Sequence, residues 1–119
     1  MQRRFRLRES SDFDRLRQQG QRQRHPWMTL SYSRNQSPNS RFGVIVSKQL
    51  GNAVARNRVR RLIRESLRQL HPRLRPGYDV VIIARRPLVG QPFSAVLRTI
   101  VELCTTADLL LGESERRAQ

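Results

Sequence analysis

The sequence predicts an α+β domain in which one sheet is covered by helices, in the order α-β-β-α-β-α with room for one further short strand. Three observations carry this. Residues 53–70 form an amphipathic stretch bounded by Gly51-Asn52 and His71-Pro72. The run YDVVIIA at 78–84 is apolar enough for a central strand, buried on both faces. After Pro92, apolar residues recur at helical spacing.

The elements follow in order. Residues 1–9, with Arg3, Arg4, Arg6 and Arg8, read as a basic arm that stays mobile until bound. Ser10 or Ser11 offers a helix N-cap, Asp12 and Asp14 suit the first turn, and Gly20 is the stop, giving a helix over 11–19. Phe13 and Leu16 lie on its less polar side. The runs WMTLSY at 27–32 and FGVIVSK at 42–48 are strand-like, with turn chemistry at Ser37-Pro38-Asn39-Ser40 between them. They read as a hairpin or as two strands of a meander. The helix over 53–70 ends at His71-Pro72, and Pro76-Gly77 turns the chain into the strand at 78–84. A loop containing Pro87, Gly90 and Pro92 leads to a last helix over 93–111, whose stripe includes Phe93, Val96, Ile100, Leu103, Cys104 and Leu111. The tail 112–119 is polar, and no internal repeat is present. A chain of 119 residues fits one domain, 1–119, since one core serves about 100–200 residues.

Charge points to the partner. The chain has 24 Lys+Arg against 9 Asp+Glu, a formal charge of +15. Lys48 is the only lysine, and the planar fork of arginine matches phosphate oxygens in pairs. The basic residues crowd into 1–86, whereas 87–119 hold Arg98, Arg116 and Arg117 against Glu102, Asp108, Glu113 and Glu115. A solubility device has no need of that asymmetry; a nucleic acid does. The sequence shows no apolar run long enough to span a bilayer, no apolar signal core behind the basic N-terminus and no Gly-rich phosphate loop. Cys104 is alone and is expected in the core; His25 and His71 stand apart, so no zinc set forms. The expectation is a cytoplasmic protein with no membrane partner.

On a helical wheel of about 100° per residue, Arg56, Asn57, Arg60, Arg61, Arg64 and Arg68 fall within an arc of about 140°. Val59, Leu62, Ile63, Leu67 and Leu70 fill the opposite side, with Arg58 and Glu65 on the flank. An ordinary solvated face mixes signs and gains from i,i+4 ion pairs. Here Arg56, Arg60, Arg64 and Arg68 stack at that spacing, and each like-charge pair costs a few tenths of a kcal/mol. Phosphates would offset this and add counterion release. RNA, recognised by backbone and shape, suits a helix embedded in a sheet-containing layer better than DNA does, because no second helix-turn-helix element accompanies it.

At Arg56-Asn57-Arg58-Val59-Arg60-Arg61-Leu62-Ile63-Arg64 the sequence resembles the bacterial ribonuclease P protein subunit. The blocks Arg6-Leu7-Arg8 with Asp12-Phe13, Arg41 to Lys48 with Gly51-Asn52-Ala53, and Tyr78 to Arg85 resemble the same family in the same order. The resemblance implies an α–β sandwich with a left-handed βαβ crossover, which sequence physics would not supply because such crossovers are right-handed in about 98% of cases. It implies binding to a large catalytic RNA and to the 5′ leader of precursor tRNA. The RNA carries out the hydrolysis with Mg2+ held mainly by RNA, and no other protein partner is required. No side chain is then expected to be catalytic, and none to bind metal.

Two surfaces are implied. Arg56, Asn57, Arg58, Arg60, Arg61, Arg64 and Arg68 would contact the catalytic RNA. A cleft between the first helix and the sheet would take the leader, with Phe13, Arg17, Trp27, Lys48, Arg85 and Arg86 as its residues. Phe13 is alternatively a core residue of its helix. Trp27 and Tyr32 occupy positions of opposite parity on one strand, so at most one of them lines the cleft. Many family members carry an aromatic where this chain has Arg17, and a second lysine where it has Gln49. Other readings of the same composition are a structural RNA-binding protein of ribosomal type, and a DNA-binding regulator using 53–70 as a recognition helix.

Overall fold

The computed structural model describes residues 5–7 and 9–112. Arg3, Arg4, Arg8 and the tail from 113 on lie outside the described residues. Among the described residues three α-helices and four strands follow in the order α1 (Ser10–Gln19), β1 (Gln21–His25), β2 (Met28–Arg34), β3 (Arg41–Ile45), α2 (Ala53–Leu70), β4 (Tyr78–Ala84) and α3 (Phe93–Thr106), with one-turn helices in the connections. The sheet order is β1-β2-β4-β3.

The α+β class holds, and α2 and β4 have the boundaries expected of them. The pairing of the early strands differs. β2 and β3 are not neighbours: β4 lies between them, antiparallel to β2 and parallel to β3. The reason is burial. β4 is the most apolar strand, and the place covered on both faces falls to it. The parallel pair β3 and β4, joined through α2, forms the crossover unit that the resemblance implied. The further short strand is β1, whose sequence QRQRH has no apolar residue. Only its antiparallel ladder with β2 makes it a strand.

Helix ends also shift. Glu9, not a serine, takes the N-cap position of α1, with no side-chain cap bond, while the stop at Gly20 is as expected: its N–H donates to Leu16 O at 3.0 Å. α3 ends at Thr106 rather than 111 because Asp108 turns left-handed at φ 57°. Leu109 and Leu111 are still buried, but as extended chain, with the Leu111 N–H donating to Arg73 O. Continued apolar spacing had mimicked a longer helix. At the start of α2, Gly51 at φ 140° reverses the chain in a conformation other residues rarely adopt. Asn52 then accepts from the Ala55 N–H at 2.9 Å as the N-cap.

The sheet has two unequal faces. Met28, Leu30, Val80 and Ile82 point toward α2 and α3 and pack with Ile63, Leu67, Ile100 and Cys104 in the main core. Full burial of each such aliphatic chain contributes about 1.5–3 kcal/mol. The other face carries a small cluster of Leu7, Leu16 and Val81, against which Phe13, Ile45 and Ile83 pack.

α1 is held on that second face chiefly by polar contacts. Asp79, fully buried in β4, accepts from Arg41 at both oxygens (Nε to Oδ1 2.9 Å, Nη2 to Oδ2 2.8 Å), from Arg15 Nη2 at 2.6 Å and from Asn35 Nδ2 at 2.8 Å. Arg15 also donates to Ser33 Oγ, and buried Ser31 donates from its hydroxyl to Leu16 O. The Asp79 hydrogen bonds raise the Arg41 pKa above its ordinary value, against the opposing effect of burial. No buried side-chain polar atom among the described residues lacks a partner.

Asp79→Ala should lower stability by about 3–5 kcal/mol, because it leaves two guanidinium groups facing a site without its anion; urea unfolding followed by circular dichroism checks this. Burial pushes the Cys104 thiol up from an ordinary value near 9 to about 12. The neutral thiol is therefore favoured in the folded state, and its contribution to stability is complete below about pH 9 and declines as pH rises through the window up to about 12. At pH 8.5 iodoacetamide should modify Cys104 only as fast as the protein opens, and rapidly in urea.

Candidate nucleic-acid interface

Burying Val59, Ile63, Leu67 and Leu70 of α2 against the sheet turns the opposite side of the helix outward. Asn57, Arg60, Arg61, Arg64, Glu65 and Arg68 then line an open depression of about 410 Å³. Its charges are only partly offset. Arg68 makes a two-point ion pair with Glu65, which raises the arginine pKa and lowers that of the carboxyl. Arg60 donates to Asn57 Oδ1 at 2.8 Å, a neutral partner. Arg64 has its pKa lowered, first by partial burial and then by the neighbouring charges of Arg6 and Arg60. Of the other residues expected on this face, Arg58 is exposed and Arg56 half-buried, and neither lines the depression.

Beside it runs a groove of about 390 Å³ between α1 and the edge of the sheet, lined by Ser10, Phe13, Asp14, Arg17, Val44, Ile45, Val46 and Arg60. Phe13 and Arg17 are one helical turn apart and both line it. The ring of Phe13 is seated on β3 at Gly43, where a Cβ would lie 2.5 Å from its Cε1 and 2.6 Å from its Cζ. Phe13 is thus half-buried: one side packs on the small cluster while the ring still lines the groove. Both readings of this residue describe part of it.

The remaining cleft candidates separate. Arg85 donates from Nε and Nη2 to Thr29 Oγ1 at 3.2 and 3.0 Å. Since Thr29 and Ser31 share a face of β2, Arg85 lies over the same face as α1. Lys48 and Arg86 stand exposed on one-turn helices outside the groove lining. Trp27 packs against the main core with its ring edge-on to His25, and so does not stand with Phe13. Tyr32 also belongs to the main core, its hydroxyl donating to Gln21 Oε1 at 2.9 Å. Neither aromatic of that segment lines the groove: Tyr32 shares the inward parity of Met28 and Leu30 on β2, and Trp27 precedes the strand and packs against the main core from the turn.

Two contributors went unseen in the sequence. Arg60 had been assigned to the helix face alone, and Asp14 to the helix dipole; both line the groove. The wheel places Arg60 about 20° from Leu67, beside the apolar arc, which was the available signal. Among the described residues no group of three or more His, Cys, Asp or Glu is placed to hold a metal ion, and no helix is long and apolar enough to cross a membrane.

The fold and site define a class: a small α+β protein with a guanidinium-rich helix face and a half-open aromatic groove side by side. Within that class the chain belongs to the Ribonuclease P family, whose model matches residues 1–108. The ribonuclease P protein component of Chloroflexus aurantiacus is 40% identical over 111 residues, spanning 92% of this chain and 82% of that one. The protein of the same name from Clostridioides difficile is 36% identical over 104 residues, spanning 87% and 91%. Among solved structures, the Staphylococcus aureus RNase P protein superposes with a TM-score of 0.83 at 26% identity, over 90% of this chain and 98% of that one. The Thermotoga maritima RNase P protein does so with 0.76 at 27%, over 82% and 93%. Family membership associates the chain with the ribonuclease P complex, its RNA and tRNA processing.

Gly43→Ala should destabilise the protein by about 1–3 kcal/mol by forcing Phe13 off β3. Adding Phe13→Ala to the same chain should remove most of that penalty, as a double-mutant cycle on unfolding free energies would show. Additive losses would mean that the ring is not what fills this space.

Proposed function

We propose that this protein binds the catalytic ribonuclease P RNA through the arginine face of α2 and holds the single-stranded 5′ leader of precursor tRNA in the groove at Phe13. It thereby assists an RNA-catalysed, Mg2+-dependent endonucleolytic removal of the leader, in the cytoplasm and with no further protein partner. The observation that supports this best is continuity. Arg60 lines both the depression on α2 and the groove, and Arg64 lines both the depression and the small pocket behind Phe13. One protein surface thus offers phosphate ligands and a stacking ring to two RNA segments that must meet at the scissile bond.

The protein's part in such a reaction is binding and placement. Guanidinium groups on α2 take over charge neutralisation that cations otherwise provide, with counterion release as the gain. A base stacked on Phe13 would contribute about 1–3 kcal/mol and fix the leader relative to the RNA. Arg17 and Arg60 would meet the leader phosphates on either side of that ring. The described carboxylates do not suit a protein-held Mg2+ site. Asp79 is enclosed by guanidinium and carboxamide donors, Asp12 lies 3.6 Å from Arg41, and Glu65 is paired to Arg68. In this reading the ion sits on RNA phosphates.

The test is reconstitution with a bacterial ribonuclease P RNA and labelled precursor tRNA at low Mg2+. Leader cleavage should require both protein and RNA, with the protein alone inert. Arg60→Ala combined with Arg61→Ala should weaken association with the RNA and flatten its salt dependence by about 1–2 in log–log slope. Unchanged binding and slope would remove α2 from the interface. Tight binding to other structured RNAs without any stimulation of cleavage would favour the ribosomal-type alternative.

A further inference from the structure

β1 lies at the opposite sheet edge from β3, and Arg22 and Arg24 line neither the depression on α2 nor the groove. Its register gives it a direction. Arg22 stands opposite Ser31 and Arg24 opposite Thr29. Ser31 donates to Leu16 O in α1, so both arginines lie on the α1 side of the sheet, while Gln21, Gln23 and His25 alternate to the other.

The same register sets one row of residues across all four strands: Arg24, Thr29, Ile83 and Ile45. The α1 contacts fall on the two preceding rows, at Asp79 and Ser33 and at Val81 and Ser31. In the row itself Ile83 and Ile45 remain half-exposed, and Arg85 lies on Thr29. At its β3 end the row enters the groove, because Ile45 lines it beside Phe13. At its β1 end Arg22 and Arg24 are exposed, and among the described residues no carboxylate pairs with either. An apolar floor flanked by unpaired guanidinium groups is what a single nucleic-acid strand needs: bases down, phosphates to the sides.

Charge on an edge strand also deters pairing with another chain. That role does not require both arginines to share the face that carries the groove.

We propose that Arg22 and Arg24 of β1, with Arg85 as the intermediate station, hold phosphates of the distal part of the 5′ leader, so that the leader crosses the sheet from the Phe13 groove to β1. The proposal rests on the groove being the leader site. Three strand spacings of about 4.8 Å give a path of about 14 Å. At a stacked rise of about 3.4 Å this is room for about four more nucleotides.

The experiment measures the affinity of the full complex, protein with catalytic RNA, for precursor tRNAs carrying leaders of about two and about ten nucleotides. With the unaltered protein, the longer leader should bind more tightly. In Arg22→Ala/Arg24→Ala that gain should shrink about tenfold, and the salt slope for the long-leader substrate should fall by about 1.4. Arg22→Lys/Arg24→Lys should restore most of the gain, and Arg98→Ala, on the exposed side of α3, should leave it intact. No gain from leader length with the unaltered protein would overturn the groove reading itself. A gain that survives the double alanine variant would overturn the β1 extension alone. Equal weakening with both leaders would also overturn it, by placing these arginines against some other part of the RNA.

Discussion

The carboxylate of Asp79 has no contact with solvent, and its four hydrogen bonds come from three different parts of the chain. Arg15 brings in α1, Arg41 brings in β3, and Asn35 brings in the connection between β2 and β3. A lone buried carboxylate would be several kcal/mol unfavourable, so the arrangement stands only when every donor is present. Because α1 has just one fully buried apolar side chain, Leu16, this polar knot does much of what a core would do elsewhere. It fixes the angle of α1 on the sheet. The groove between them inherits its width from that angle.

On the other side of the groove the constraint is reversed. The main core holds α2 firmly through Ile63 and Leu67, and the outward arginines are pressed together with few anions to relieve them. Charge is over-satisfied at Asp79 and under-satisfied along α2. The first arrangement closes on itself; the second stays open to phosphate. Arg60 stands where the two meet, at the mouth of the groove.

Much of this was readable from residues. The amphipathic stretch at 53–70 and the apolar run at 78–84 came through because each rests on local periodicity. Sheet order did not, since adjacency in sequence suggested a hairpin and long-range burial decided otherwise. β1 was hidden because its residues carry no pattern of their own. Trp27, which the resemblance implied for the cleft, precedes β2 and packs on the main core from the turn before it, a placement that strand parity does not give. An acid within an apolar central strand already requires buried cationic partners, and Arg15 and Arg41 supply them.

The small cluster beneath α1 joins Leu7 and Leu16 to Val81, residues more than 60 positions apart in the chain. During synthesis α1 emerges well before the strand it must rest on, which is the last of the four. A helix of 10 residues is marginal alone in water, so α1 depends for its stability on the sheet that β4 completes. The groove therefore exists only once β4 is in place. A ribosome-bound fragment ending before Tyr78 would expose the arginines of α2 but hold no shaped cleft. Attraction for RNA would thus precede the structure that gives it selectivity, and release from the ribosome would be the moment at which the two come together.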